Sequence, residues 1–284
     1  RCRTRPADVH PKETTMPIPH DTIAALGQCF ASITSLGDDL TESEWKTATD
    51  CPGWSVQDNL SHLIGIERML EGLSPTTHKA APADHVKNPI GEANENEIDV
   101  RRPLRGADVL KEWKEISTQR MATLRSADVA YFDESAMTPT GPGTVGDFLS
   151  IRVLDSWVHE QDMRRAVSKP GNLGGPAAEH TVDRLMRTVP IVVGKRAGTP
   201  EGASVVIDVT GDVTRHVVCT VTGGRAAVVA DEPTTPLAHI TMDVETFVML
   251  ATGRATAEAM ESRVTYAGDV EHGRKVTGAL NMMI

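Results

Sequence analysis

The sequence predicts an α+β protein: a four-helix bundle over about residues 17–196, then a small antiparallel α+β domain over 200–284. Three observations carry this. Long segments in the first two-thirds repeat apolar residues at three- and four-residue spacing behind helix-capping residues. After about residue 200 the pattern becomes β-branched runs, S-V-V-I-D-V-T, R-H-V-V-C-T-V-T and R-A-A-V-V-A, separated by glycine turns. The length of 284 residues suits one large domain or two ordinary ones.

Residues 19–36 read as a first helix, with Ile23, Leu26, Phe30 and Ile33 on one stripe and Gly37 ending it. Thr41 and Glu44 have capping-box spacing ahead of Trp45. C-P-G-W at 51–54 is a turn carrying an aromatic anchor. Ser55 and Asp58 open a second helix to about Leu73, whose apolar face includes Val56, Leu60, Leu63 and Ile64. Glu67 falls inside that stripe and calls for a partner, for which Arg152 is the candidate. Residues 74–100, rich in Pro, Asn, Asp and Glu, read as a long irregular loop of the kind that lines functional sites.

A third helix spans about Ala107–Ser126, and 134–143 is a Pro/Gly loop. Thr144 and Asp147 then cap a fourth, central helix that runs to about Val167. K-P-G-N-L-G-G-P at 169–176 stops it, and residues 177–195 make a fifth helix that Pro190 kinks or shortens. The β-branched runs form an antiparallel sheet. Short helices follow near Val244–Thr252 and Thr256–Glu261, then V-T-Y-A-G-D and a last helix to Met283.

Composition excludes several classes. A net charge of −10, no basic run and 4% aromatic residues argue against nucleic-acid binding. No apolar run approaches the ~20 residues of a membrane span. Arg1, Arg3 and Arg5 precede no apolar core, so the start is not a signal peptide. Either Met16 is the natural start or residues 1–15 are a disordered extension, and the domain division sets 1–16 apart as that N-terminal extension. The cysteines Cys2, Cys29, Cys51 and Cys219 form no Cys-x-x-Cys pair, which suits reduced thiols in a cytoplasm.

The chemistry concentrates in the central helix. Asp155 and His159 are four apart and project side by side, with Asp162 on the same face among apolar residues. A carboxylate and an imidazole on an apolar stripe need compensation, and a bound cation compensates both. His62, at the edge of the second helix's apolar face, is the candidate third ligand. Two imidazoles and one carboxylate leave a position open, as catalytic zinc sites do; nickel, cobalt or ferrous iron would also fit. Each residue also has a plain reading: His62 as a core-edge histidine, Asp155 with His159 as a hydrogen-bonded couple, Cys51, Trp54 and Trp157 as packing, Glu160 as solvated.

W-S-V-Q-D-N-L-S-H-L at 54–63, followed by D-S-W-V-H-E-Q-D at 155–162, resembles the metal-binding domain of mycothiol-dependent maleylpyruvate isomerases, within the wider DinB-like bundle group. G-R at 253–254 and A-G-D at 267–269 resemble the sterol-carrier-like C-terminal domain that accompanies it. The resemblance implies a DinB-like bundle with His62, Asp155 and His159 as ligands of a divalent metal, zinc first, and mycothiol as a second cofactor. It implies that mycothiol, ionised at the metal, attacks a small electrophilic, anionic substrate, either isomerising it or staying attached as in thiol S-transferases. Arg254 and Asp162 are then the candidate catalytic residues and Arg152 the candidate cofactor-binding residue. The isomerases carry Glu where this chain has Asp155, one methylene shorter, so the ion would sit closer to this helix or be reached through a water. The expected setting is a cytoplasmic actinobacterial monomer or weak homo-oligomer without nucleic-acid or membrane partners. The alternative is a non-catalytic module that holds a metal or small ligand.

Overall fold

A computed structural model describes residues 17–282. The proposed start at Met16, the extension before it and Cys2 lie outside the described residues, and the last helix ends at Gly278 instead of running to Met283.

The chain begins with α1 (His20–Asp38), the single turn α2 (Glu42–Trp45), α3 (Val56–Leu70), α4 (Pro89–Asp99), α5 (Gly106–Ser126) and the short α6 (Val129–Asp133). A hairpin of β1 (Ser135–Thr138) and β2 (Gly141–Thr144) leads into α7 (Val145–Ala166), followed by α8 (Pro176–Met186). The three predicted capping boxes form, at Thr41/Glu44, Ser55/Asp58 and Thr144/Asp147. In each, the cap hydroxyl accepts a backbone N–H that the first helical turn leaves unpaired, and the acidic side chain answers it.

Helices α1, α5, α3 and α7 pack around a closed ring of neighbours, α1 on α5, α5 on α3, α3 on α7 and α7 on α1. Their stripes meet in an interior that includes Leu26, Leu60, Trp113 and Trp157, all fully buried. Such burial is the main drive for assembly, at about 25 cal/mol per Å² of apolar surface. Trp45 lies under α5, where a Cβ on Gly106 would sit 2.1 Å from its ring. Gly106 is therefore a close-approach residue.

A π-helical turn (Ile191–Arg196) precedes a five-stranded sheet of β3 (Ser204–Thr210), β4 (Arg215–Thr222), β5 (Arg225–Val229), β6 (Ala238–Asp243) and β7 (Val264–Gly268), in the order β5-β4-β3-β6-β7. Between β6 and β7 come α9 (Val244–Ala251), α10 (Ala257–Met260) and a 3₁₀ turn (Glu261–Arg263); α11 (Val270–Gly278) is the last element among the described residues. Buried side chains of bundle and sheet, such as Val182, Val205, Ile207 and Phe247, belong to one contiguous apolar cluster. No helix among the described residues is long and apolar enough to cross a membrane.

Four further local expectations change. The stretch 74–100 is not all loop: Asn88 caps Gly91 N, Pro89 takes the first helical position and α4 follows. Its polar surface concealed it, because Ile98 is its one fully buried apolar residue beside buried Glu95 and Asn96. The Pro/Gly segment before α7 is a hairpin pairing Ser135 with Thr144. The fifth helix stops at Met186, four residues ahead of Pro190. The sheet is mixed, since β3 runs parallel to β6, with Val205 opposite Ala238 and Val209 opposite Met242.

Candidate metal centre

The C-P-G-W turn is the floor from which the site is built. Gly53 takes φ +78°, and Thr49 and Trp54 close the turn by a backbone bond of 2.9 Å. Ser55 then starts α3, and Asn59 and His62 emerge three residues apart on its inner face. Across the bundle, α7 presents Asp155, His159 and Asp162.

The structure brings His62, Asp155 and His159 together. One ligand atom from each lies within 4.8 Å of the others. His62 Nε2 is 3.2 Å from Asp155 Oδ2, and His159 Nε2 is 3.6 Å from Asp155 Oδ1. Both imidazoles are buried, while 22% of the Asp155 side chain is exposed at the cleft. Burial pushes the His62 imidazole below its ordinary value, despite the opposing pull of Asp155, which favours the neutral ring a metal needs. Burial alone would raise the Asp155 carboxyl, but Arg152, His62 and His159 outweigh it and hold it well below the usual carboxylate range.

A second layer fixes His159. Asn59 Nδ2 donates to Thr49 Oγ1 at 3.0 Å and to Ser55 O at 2.9 Å, so its Oδ1 must face the imidazole. His159 Nδ1 lies 2.7 Å from that oxygen and therefore carries the proton, leaving Nε2 as the free donor atom beside Asp155. Among the described residues, His62 Nδ1 is buried without a hydrogen-bond partner. Two imidazole nitrogens and an ionised carboxylate, with the His159 ring oriented so that Nε2 faces Asp155, fit a divalent ion such as zinc.

Arg152, expected at the cofactor, is placed behind Asp155 rather than in the cleft. It is buried, donates from Nε to Glu67 Oε1 at 2.8 Å, bonds Asp155 through Nη1 and reaches Ser156 Oγ at 3.3 Å. This is the ion pair that Glu67 called for. Arg254 arrives from the C-terminal part on the turn after α9, where Gly253 has φ +69° and Arg254 N closes on Met249 O at 2.8 Å. Its guanidinium lines the cleft and donates to Asp162 Oδ2 at 2.8 Å. Asp162 is fully buried, also takes Arg165 Nη2 at 2.5 Å and lies 3.3 Å from His159 Nδ1. Burial would raise its carboxyl, but His159 and Arg254 hold it far below the usual range.

The cleft above the three residues encloses about 750 Å³. Cys51, Gly53 and Trp54 form one wall, Arg254 another, and His85, Lys87 and Asn94 the rim. The Trp54 ring centre is 5.2 Å from that of His62 and 5.7 Å from that of His159, so Trp54 is a wall of the site rather than core packing. Cys51 Sγ lies 3.2 Å from Asp162 Oδ2. Burial, then the Asp162 charge, pushes its thiol far up, so it stays protonated and is a poor nucleophile. Glu160 is corrected from solvated to fully buried: it accepts from Ser32 at 2.6 Å, Arg164 at 2.7 Å and Asn172 at 2.7 Å, tying α1 to α7.

Asn59 and the rim residues were not singled out from the sequence, and Trp54 was read there only as an anchor and packing residue. Asn59 was accessible, since it lies three residues before His62. The rim was not, because it depends on how the 74–100 segment folds back.

Fold and site thus define a class: a helical bundle with a buried metal-competent His–His–Asp set, covered on one side by an α+β unit. Residues 26–164 match the family model for the mycothiol maleylpyruvate isomerase N-terminal domain, the family that the sequence motifs resemble. Among solved structures, a mycothiol-dependent maleylpyruvate isomerase matches with a TM-score of 0.54 at 15% identity, over 89% of this chain and 93% of that one. A mutant of that enzyme matches at 0.53 and 14% identity over the same shares. At this identity the likeness is one of fold, and it extends across both the bundle and the sheet. Sterol carrier protein 2 from Yarrowia lipolytica aligns over 36% of this chain with a TM-score of 0.28 and 13% identity, too slight to argue from. Curated proteins give no match.

Proposed function

We propose that this chain is a metal-dependent enzyme that uses mycothiol as its thiol, acting as an isomerase or S-transferase on a small, electrophilic, anionic substrate. The supporting observation is the meeting of His62, Asp155 and His159, from helices 93 residues apart, beneath a cleft lined by Arg254. A divalent ion, zinc first, would supply the positive charge that favours the ionised form of a thiol.

The protein's own groups do the rest. Asn59 holds His159 in the tautomer with Nε2 free. Arg152 anchors Asp155 from behind, which restricts a carboxylate shorter than the glutamate of the isomerases. It acts on the site as a positioning residue. Asp162 orients Arg254 along the cleft wall, where the guanidinium can face an anionic group of the substrate. Asp162 also accepts the Cys51 thiol, so that this sulfur does not compete with the incoming one.

The test is elemental analysis of purified protein, followed by turnover of maleylpyruvate with and without mycothiol. One equivalent of a divalent metal, its loss in His159→Ala and strict thiol dependence are expected. After cobalt substitution, titration with mycothiol should produce a thiolate-to-metal charge-transfer band. A metal-loaded protein that shows no such band and is inert with every thiol would overturn the proposal.

A further inference from the structure

The segment 74–100 supplies a histidine that the metal centre does not use. His85 lines the cleft, and its Nε2 lies 3.1 Å from Glu95 Oε2 on α4. Glu95 is buried and also takes Arg102 at 2.6 Å and the Trp54 indole N–H at 3.1 Å. Arg102 in turn contacts Asp58 at 3.3 Å and Asp99 at 2.9 Å. Burial would raise the Glu95 carboxyl, but the hydrogen bonds from His85, Arg102 and Trp54 outweigh it and keep it ionised. The ring packs against Gly53, where a Cβ would come within 2.5 Å of Nδ1. That close approach, together with the positive φ, requires glycine there.

We infer that His85, oriented by Glu95, is the proton-transferring residue of this cleft. The inference rests on the thiol-dependent reading above. An ionised carboxylate on Nε2 places the proton there and leaves Nδ1 as the free acceptor, the arrangement a general base needs. The other groups facing the cleft are committed elsewhere. His62, His159 and Asp155 would hold the ion. Cys51 is bonded to Asp162, and Arg254 keeps its proton through the same carboxylate. Asp84 and Lys87, the charged neighbours of His85 on its own segment, are exposed and have no orienting partner among the described residues. Asn94 on α4 has no proton to give in this range.

The proton inventory closes for an activated alkene as substrate. The thiol S–H proton passes to Nδ1, and the resulting imidazolium is stabilised by Glu95. The sulfur electron pair forms the C–S bond while the alkene π pair moves onto the adjacent carbonyl as an enolate. In conjugation, the Nδ1 proton then goes to the enolate carbon, completing addition of S–H across the double bond. In isomerisation, the C–C bond rotates, the C–S bond breaks as the alkene re-forms, and the proton returns to sulfur. Glu95 is a positioning residue in both routes.

The test has two arms. Nitrogen-15 NMR of the metal-free protein should show His85 protonated on Nε2 and unprotonated on Nδ1, with that preference lost in Glu95→Gln. His85→Ala should keep bound metal and the thiol charge-transfer band, yet lose about 100-fold or more in kcat, with KM little changed and added imidazole restoring part of the rate. Glu95→Gln, which keeps shape and packing, should lose kcat in the same direction. A proton on Nδ1 in the resting protein, or a His85→Ala enzyme with metal, thiol band and parental kcat, would overturn the inference and leave the thiol-dependent reading intact. Absence of metal or thiol band in the parent would instead strike that reading.

Discussion

Removing the guanidinium of Arg152 should be costly in a way that a second substitution relieves. Arg152 and Glu67 are both buried, and their bond of 2.8 Å is the hydrogen bond that satisfies Glu67. The other carboxylate oxygen lies 3.4 Å from Arg120 Nε without hydrogen-bond geometry. Arg152→Met therefore leaves the Glu67 carboxyl buried and held only by that looser contact, and it removes the anchor of Asp155. Breaking a buried pair from one side costs about 3–5 kcal/mol, whereas replacing both members is often close to neutral. We expect Arg152→Met to destabilise the bundle by about that amount, and Glu67→Gln with Arg152→Met to recover at least ~2 kcal/mol of it. Urea unfolding followed by tryptophan fluorescence measures this in the bundle specifically, because all four tryptophans lie between residues 45 and 157. The metal-free protein should be used, so that loss of bound ion does not enter the difference. A single variant within ~0.5 kcal/mol of the parent, or a double variant as unstable as the sum of the two singles, would refute the reasoning.

Two further outcomes follow from the geometry. Asn59→Ala should weaken metal affinity about 10- to 100-fold in chelator competition, because His159 loses the acceptor that fixes its tautomer; unchanged affinity would show that Asn59 does not act on the ligand. On the sheet, hydrogen bonding to Asp208, then to Glu232, raises the His216 imidazole above its ordinary value. A raised folded value means stability that is complete below pH ~6.5 and lost as pH rises through the folded midpoint. The His216 ring protons should therefore titrate above ~6.5 by NMR and move down in Asp208→Asn; an unshifted midpoint in that variant would remove the assigned cause.

Much of the bundle was legible because its signals are local. Capping boxes at Ser55/Asp58 and Thr144/Asp147 are three-residue relations, and the pairing of Asp155 with His159 follows from one helical turn. Glu67 on an apolar stripe announced a buried partner, since an unpaired charge there is prohibitive. α4 was illegible for the opposite reason: its helix is stabilised by a cap and by packing of Glu95 and Asn96, not by an apolar stripe. The sheet's β-branched runs announced strands, but pairing direction depends on the path of the connection, so the parallel contact of β3 with β6 did not show.

The amino-acid order alone determined which side chains share a helical face, since 3.6 residues per turn is a property of the backbone and needs no partner. Tertiary packing decided which faces meet. It set His62 against Asp155, placed Arg254 on a carboxylate 92 residues away, enclosed Glu160 between α1 and α7 and folded His85 over Gly53. Those outcomes depend on the summed burial of whole helices and on which polar groups can be satisfied once water is excluded, and no local spacing encodes either.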